Sequence, residues 1–290
     1  MDPVLAEVIT LLELERLEDN IFRGESRDIG SPQVFGGQVL GQALSAASRT
    51  VERRSPHSFH AYFLRRGDYR APIVYDVDRS RDSRSFSTRR VVAIQHGEPI
   101  FNMAASFQVE EQGLDHQVPM PSVSGPEGLS SVVDITKAIL EKVPDKMRRF
   151  LSHKRPFEFR PVQPPNFLKP EKLNPCKHIW MRACDSLPDD PDLHRNLLTY
   201  VADYELLATA TLPHGLRFDV DSVQMASLDH AMWFHRPARV DQWLLYALDS
   251  PSAFGGRGFA RGQVFTQQGE LIASTQQEGL FRILDKDKVE

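Results

Sequence analysis

The chain has 290 residues, of which 41% are hydrophobic and 26% are charged, a composition typical of folded globular proteins. The formal net charge of −4 gives no indication of a nucleic-acid partner, although a small anionic ligand would need only a few local Lys or Arg residues. Two cysteines, Cys176 and Cys184, are too few for a disulfide framework or a zinc cluster and predict reduced thiols.

The two ends of the chain predict a cytoplasmic protein without a membrane span. No apolar run approaches the length needed to cross a bilayer. Residues 1–20 lack the basic start and the continuous apolar centre of a signal peptide, because their apolar residues are interleaved with Glu and Asp at helical spacing. The final segment, DKDKVE, matches no peroxisomal or retention address.

The first half of the chain predicts one long helix followed by a run of antiparallel strands. The helix covers GGQVLGQALSAASRTV (36–51), in which Gly36 and Gly37 would allow close backbone packing at its start. The predicted strands are FHAYFL (59–64), APIVYDVDRS (71–80), SFSTRRVVAIQ (85–95) and PIFNMAASFQV (99–109). A turn at His96 and Gly97 separates the last two strands.

The middle of the chain predicts a connector. Residues 110–135 are rich in Gly, Pro and Ser, and a short amphipathic helix is expected in VVDITKAILEKV (132–143). The Pro-rich stretch resumes in RPFEFRPVQPPNFLKPEKLNPC (155–176), which contains too many aromatic residues for a disordered tether, so we expect the connector to pack on the folded units. We therefore predict an N-terminal unit over 1–115, a connector over 116–150 and a C-terminal unit over 151–290, opened by the strand FEFRPV.

The second half predicts the same order of elements. A long helix is expected over HRNLLTYVADYELLATATL (194–212). The strands expected after it are VQMASLDHAMWFHRP (223–237), QWLLYALDS (242–250), GFARGQVFTQ (258–267) and ELIASTQQEGLFRIL (270–284). The glycine-rich AFGGRG (253–258) lacks the Lys and Ser/Thr of a phosphate-binding loop and is interpreted as a hairpin turn.

An internal repeat supports this organisation. HSFHAYFLRRG (57–67) is similar to SLDHAMWFHRP (227–237) with His60 aligned on His230, and residues 84–108 are similar to 257–279. The offset stays near 170 residues. The repeat predicts an α+β fold in which a central helix wrapped by a curled antiparallel sheet occurs twice.

The last strand of the second copy raises a question about Gln277. In the first copy, one face of the last strand is uniformly apolar and carries Phe101, Met103, Ala105 and Phe107. The repeat places Ala273, Thr275, Gln277 and Gly279 on the same face. Gln277 therefore occupies the position of Ala105, facing the helix, and it needs polar partners because unpaired buried amides are costly.

Asp203 and Ser227 are the candidate partners. Asp203 interrupts an apolar helical pattern in YVADYELL, and Ser227 lies at the entry to the strand AMWF. Only the repeat suggests that the three side chains converge. In the alternative interpretation, Asp203 caps a helix, Ser227 bonds to backbone and Gln277 is exposed.

Four segments of the chain resemble the acyl-CoA thioesterase II family. They are FGGQVLGQAL, HSFHAYFLRRGD, SFSTRRVVAIQHGEPIFNMAASFQ and LDHAMWFHRP, and the resemblance covers nearly the whole chain. The resemblance implies a double hotdog fold and a catalytic set of an aspartate, a Thr or Ser, and a glutamine in the second hotdog. The matching positions are Asp203, Ser227 and Gln277. Serine in place of the threonine found in many members keeps the hydroxyl.

The resemblance also implies the activity. We expect fatty acyl-CoA to be hydrolysed to fatty acid and CoA by an activated water, without a covalent intermediate or a cofactor. The G-x-S-x-G motif of serine hydrolases is absent from the sequence. A non-catalytic acyl-CoA sensor or carrier and a hotdog hydratase are the alternatives. Family members associate, so a homo-oligomer is expected.

Other polar residues receive no functional assignment. The strand histidines His57, His60, His230 and His235 lack the H-E-x-x-H spacing or a Cys–His cluster, so we predict no metal site. The arginine pairs at 65–66 and 89–90 could meet CoA phosphates, but solvated strand faces are more common.

Overall fold

The computed structural model describes residues 1–31, 33–143, 148, 151–166, 170–216 and 223–284. The α-helices considered below are α1 (Pro3–Leu12), α2 (Gly36–Ser48), α3 (Val132–Lys137) and α4 (Pro191–Ala202). Two 3₁₀ helices cover Leu140–Lys142 and Leu207–His214. The terminal segment DKDKVE, in which we found no targeting address, lies outside the described residues.

The described strands form one antiparallel sheet. They are β1 (Glu15–Glu18), β2 (Ile21–Gly24), β3 (Ser55–Phe63), β4 (Ile73–Asp82), β5 (Phe86–Gln95), β6 (Glu98–Gln108), β7 (Phe157–Pro161), β8 (Cys176–Ala183), β9 (Val223–Ser227), β10 (Asp229–Phe234), β11 (Leu244–Phe254), β12 (Arg257–Thr266) and β13 (Leu271–Ile283). Their order is β1-β2-β4-β5-β6-β3-β10-β13-β12-β11-β8-β7, with β9 pairing beside this path to β13.

The sheet contains the same strand order twice. From the central pair of β3 and β10, the first half runs outward as β6-β5-β4-β2 and the second as β13-β12-β11-β8. Helix α2 packs against β3, β4, β5 and β6, and it is buried from Gly37 to Ala47. In the second half, α4 packs on α2, and the 3₁₀ helix Leu207–His214 packs against β11 and β12. This architecture confirms the predicted α+β fold, a double hotdog.

The two central helices begin differently. Asp190 caps α4, because its carboxylate accepts hydrogen bonds from the backbone N–H groups of Asp192 and Leu193. The residue before α2 is Phe35, which provides no side-chain cap. The first N–H groups of an α-helix have no partners within the helix. The start of α2 therefore presents backbone donors that no side chain at the cap position satisfies.

Glycine allows α2 and α4 to approach each other closely. A Cβ atom on Gly37 would lie 2.2 Å from the carbonyl oxygen of Tyr200, and one on Gly41 would lie 3.2 Å from that of Asn196. The backbones of the two helices are thus in contact at positions where any side chain would collide with a carbonyl oxygen. This contact confirms the close packing predicted for the start of the first helix.

Gly37→Ala is therefore expected to destabilise the protein. The added methyl group would collide with backbone rather than with a movable side chain, and overpacking of this kind costs about 1–3 kcal/mol. Thermal melts of the parent and of Gly37→Ala would measure the loss. Gly113→Ala is the matched control, since a Cβ atom there meets nothing within 4 Å. Equal melting temperatures for all three proteins would contradict the close contact between the helices.

The helix predicted over residues 194–212 is wrong in its second part. Helix α4 ends at Ala202, and the 3₁₀ helix begins at Leu207. Between them Glu205 adopts a left-handed backbone conformation with φ of 67°, which cannot continue a right-handed helix. Asp203 consequently follows the helix at its carboxyl end instead of lying in its middle.

The alignment of His60 with His230 is also wrong, by one residue. His60 is exposed on β3, whereas His230 is buried on β10. Phe59 lies opposite Ala105 on β6, and the pairing of Ala231 with Gln276 puts His230 beside Gln277 on β13. Phe59 is therefore the counterpart of His230. The equivalence of Ala105 and Gln277 is confirmed, since both are buried and each lies beside the matching residue of the neighbouring strand, Phe59 or His230.

Smaller expectations have mixed outcomes. The run predicted over 223–237 divides into β9 and β10, with a break at Leu228. The hairpin at Gly255 and Gly256 is confirmed, and both glycines have positive φ. The connector packs on the sheet, where the indole Nε1 of Trp180 donates to the carbonyl oxygen of Ser124. The unit boundaries at 115 and 150 remain a prediction.

Candidate active site

Gln277 contacts both of the other residues predicted for the site. Its Nε2 donates to Oδ1 of Asp203 at 2.7 Å and lies 3.1 Å from Oγ of Ser227. The side chain of Asp203 is 6% exposed, and Gln277 is 1% exposed. The alternative in which Gln277 is exposed is therefore wrong. Asp203 does end a helix, but its carboxylate bonds to Gln277.

Strand pairing explains why Ser227 meets Gln277. Ser227 is the last residue of β9 and lies opposite Gly279 on β13. At Leu228 the chain leaves β9, and β10 then pairs with an earlier part of β13. Gln277 lies on β13 between these two pairings. The break at Leu228 therefore places Ser227 on one side of Gln277 and His230 on the other.

The carboxylate determines how the amide of Gln277 is oriented. An ionised Asp203 can only accept hydrogen bonds, so Nε2 rather than Oε1 faces it. The second N–H of the amide faces Oγ of Ser227, and Nδ1 of His230 lies 3.3 Å from the same Nε2. Among the described residues, Oε1 of Gln277 is buried and has no hydrogen-bond partner. It is available to accept a hydrogen bond from a bound molecule.

His230 is a site residue that the sequence analysis left unassigned. It is fully buried, and its Nδ1 lies 3.3 Å from Nε2 of Gln277 and 3.6 Å from Oδ1 of Asp203. Its ring stacks on Phe59 from the first half, with ring centroids 5.9 Å apart. The correct strand register, which pairs it beside Gln277, would have identified it.

The start of α2 completes the site from the first half of the chain. A Cβ atom on Gly36 would lie 2.7 Å from Oδ2 of Asp203, so any larger residue would displace the carboxylate. Gly36 is the first residue of α2, where N–H groups have no partners within the helix. The positive end of the helix dipole there favours negative charge nearby.

Tyr246 lies behind the site and ties its elements together. Its hydroxyl donates to the carbonyl oxygen of Ala202 at 2.9 Å and lies 2.8 Å from Oγ1 of Thr275. Burial raises the pKa of Tyr246, so the phenol keeps its proton and remains a donor. Ala202 precedes Asp203, and Thr275 is on the same face of β13 as Gln277. The phenol therefore links the backbones that carry two site residues.

An ion-pair cluster supports the turn after Asp203. Glu205 pairs with Lys177 and Arg155. Burial opposes ionisation of Glu205, but the charges of Lys177 and Arg155 lower the pKa of its carboxyl below the usual value. A left-handed backbone at a residue other than glycine is unfavourable by roughly 1–2 kcal/mol, which these contacts help to offset.

Two cavities meet at Gly36 and Ser227. The larger, about 760 Å³, also reaches Asp203 and Gln277. Its apolar lining includes Ile29, Val34, Val132, Ile179, Leu207 and Met225. The smaller cavity, about 290 Å³, has Arg65 and Arg66 in its wall. Arg89, which belongs to the other arginine pair noted in the sequence, is buried and has a structural role, since it pairs with Asp82 and donates to Thr50.

The described residues were also searched for metal ligands, disulfides and membrane-spanning helices. No group of three or more His, Cys, Asp or Glu side chains among them could hold a metal ion. Both cysteines are free. Within the described part of the chain, no helix is long and apolar enough to cross a membrane.

Comparison with known proteins adds independent evidence. A family profile described as acyl-CoA thioesterase matches residues 148–280, and one described as acyl-CoA thioesterase N-terminal domain matches residues 23–108. The chain is 44% identical to acyl-CoA thioesterase 2 of Haemophilus influenzae over 283 residues, which cover 97% of this chain and 99% of that protein.

Solved structures give the same result. The acyl-CoA thioesterase II TesB2 of Mycobacterium marinum superposes with a TM-score of 0.79 at 42% identity, covering 96% of this chain and 99% of that one. A hot dog fold protein of unknown function from Alicyclobacillus acidocaldarius has a TM-score of 0.75 at 18% identity, covering 96% of this chain and 99% of that one; this likeness concerns the fold alone. The chain belongs to the acyl-CoA thioesterase family.

Proposed function

We propose that this protein hydrolyses fatty acyl-CoA thioesters to a free fatty acid and CoA, with Asp203, Ser227 and Gln277 as its catalytic residues. The observation that carries the proposal is the network joining these side chains. It lies where a mainly apolar cavity meets the uncapped start of α2. The proposal assigns the catalytic residues to the predicted C-terminal unit, 151–290.

The three side chains suit the activation of a water molecule. The carboxylate of Asp203 accepts a proton as the water oxygen attacks the carbonyl carbon of the thioester. Ser227 and Gln277 hold that water through the hydroxyl and the free Oε1. The C–S bond then breaks, the proton passes from Asp203 to the sulfur, and CoA leaves as the thiol.

The start of α2 suits the charge that develops on the carbonyl oxygen. The N–H groups of Gly36 and Gly37 are free of partners within the helix, and Gly36 adjoins Asp203. Fixed donors aimed at a developing oxyanion are among the strongest contributions to catalysis of acyl transfer. Gly36 has no side chain to block the approach of the thioester.

The same contacts argue against a covalent intermediate on Ser227. A nucleophilic serine needs an adjacent base to remove its proton. Among the described residues, Oγ of Ser227 has a hydrogen bond with the amide of Gln277 and none with a histidine. Ser227 is accordingly assigned to holding the water.

The two cavities suit the two parts of the substrate. The larger cavity has a mainly apolar lining, which favours the acyl chain. The smaller one adjoins Arg65 and Arg66, whose charges favour the phosphates of CoA. The activity profile over acyl chains of increasing length would report how much chain the larger cavity accepts.

A thiol-release assay tests the proposed activity. Purified protein is mixed with acyl-CoA and a reagent that detects free thiols. Release of many equivalents of CoA per chain supports hydrolysis. Tight binding of acyl-CoA without thiol release would instead identify a sensor or carrier.

The two units are expected to be unequal, with one catalytic site in each chain. Ala105 stands in the first unit where Gln277 stands in the second, so the amide is missing there. Titration with a non-hydrolysable thioether analogue of acyl-CoA should saturate at one equivalent per chain. Two equivalent sites in the calorimetric isotherm would refute the assignment.

We also propose a cytoplasmic location and self-association. The free cysteines Cys176 and Cys184 are exposed, which suits a reducing compartment. Self-association would cover exposed apolar side chains such as Phe254 and Leu114. Light scattering of the purified chain would give its mass in solution.

A further inference from the structure

The buried imidazole of His230 differs from its counterpart in the first unit. Phe59 stands on β3 where His230 stands on β10, and the residues beside them are Ala105 and Gln277. One unit thus has an apolar pair where the other has a polar pair. All four side chains are almost completely buried. The fold itself therefore accepts an aromatic hydrocarbon ring at this position.

A purely structural role does not account for the histidine. Its Nε2 is buried and has no hydrogen-bond partner among the described residues. Leaving such a group unsatisfied destabilises the fold, because its lost hydrogen bonds to water are not replaced. Phenylalanine would fill the same space without that penalty. The compensating contact must involve the other ring nitrogen, Nδ1, which lies 3.3 Å from Nε2 of Gln277.

We infer that His230 is a positioning residue for the hydrolytic site, in which neutral Nδ1 accepts a hydrogen bond from Gln277 and fixes its amide. The inference rests on the proposed function. For Nδ1 to accept a hydrogen bond, the neutral ring must carry its proton on Nε2. Nε2 is the ring nitrogen that faces the core. The bond restrains the amide so that Oε1 stays directed toward the attacking water.

His230 thereby acts through Gln277. One N–H of the amide bonds to Asp203, and the second faces Oγ of Ser227. The contact with Nδ1 of His230 adds a further restraint on the same amide nitrogen, from the side opposite Ser227. Small misplacements of catalytic groups can reduce turnover by up to about a hundredfold. His230 does not line the larger cavity, so its loss should leave substrate binding unchanged. The expected effect is therefore on kcat.

Two substitutions separate positioning from packing. His230→Phe copies the residue of the first unit, so it should fold and lower kcat by about ten- to a hundredfold with KM near the parent value. His230→Asn offers a side-chain oxygen near the position of Nδ1 and should restore part of that loss. His60→Asn, on the exposed face of β3, is the control and should match the parent. A kcat at the parent value in His230→Phe would overturn the inference.

A spectroscopic measurement tests the same contact without turnover. In protein labelled with ¹⁵N-histidine, His230 should show a protonated Nε2 and an unprotonated Nδ1, and Gln277→Ala should shift the Nδ1 resonance. A protonated Nδ1 in the parent would also overturn the inference, even if His230→Phe failed to fold. Failure of the parent to release CoA would refute the hydrolase proposal, whereas the tautomer would still decide the role of Nδ1.

Discussion

Asp203→Asn is expected to lose most turnover while keeping the fold. Removal of a general base lowers rates by about 10²–10⁴-fold, because the amide cannot take the proton of the attacking water. The substitution preserves shape, and its side-chain oxygen can still accept from Nε2 of Gln277. The space beside Gly36 is also unchanged. The measurements are kcat from thiol release and the melting temperature of both proteins.

The outcome separates catalysis from architecture. A low kcat together with a parent-like melting temperature supports the general base. Asp203→Asn with the parent rate would remove Asp203 from the mechanism. Asp189→Asn, at an exposed carboxylate that pairs with Arg239, is a matched control that should leave turnover unchanged.

Gln277→Ala is expected to lower kcat by about a hundredfold with little change in KM. The amide holds the water mainly as the transition state forms, so its loss should affect kcat rather than substrate binding. The fold should survive, because Ala105 occupies the equivalent position in the first unit. Gln276→Ala, at the exposed neighbour on the opposite face of β13, is the control.

Gln277→Glu should be impaired for a different reason. A second carboxylate beside Asp203 would repel it and disfavour its charged form, which is the form that accepts a proton. Kinetic constants and melting temperatures of both Gln277 variants decide the matter. Parent-like kcat in Gln277→Ala and Gln277→Glu would place the amide outside the mechanism.

The sequence predicted Gln277 because strand alternation is a local rule. Phe101, Met103 and Ala105 define an inward face, and the hairpins at Gly97 and Gly269 bring the second copy into the same register. Alternation separates the two faces of the strand, and the repeat identifies which face points inward. The same rule predicted most of the strands that flank the site.

His230 was missed because a one-residue error reverses the face of a strand. Aligning identical residues put it on His60, although strand pairing relates it to Phe59. The end of α4 was missed for another reason. Residues 203–212 include several good helix formers, and the left-handed Glu205 that ends the helix pairs with Lys177, which is remote in sequence. Tertiary contacts of this kind override local propensity.

The proposed site is divided between the two units, since α2 comes from one and Asp203 from the other. If the units were separate chains, their encounter would depend on concentration, and dilution would dismantle the site. The covalent link makes the contact intramolecular, with a high effective concentration that dilution does not change. Because the two units are covalently linked, one complete catalytic site per chain is sufficient. The first unit can then carry apolar residues, Phe59 and Ala105, at the positions of His230 and Gln277 without loss of activity.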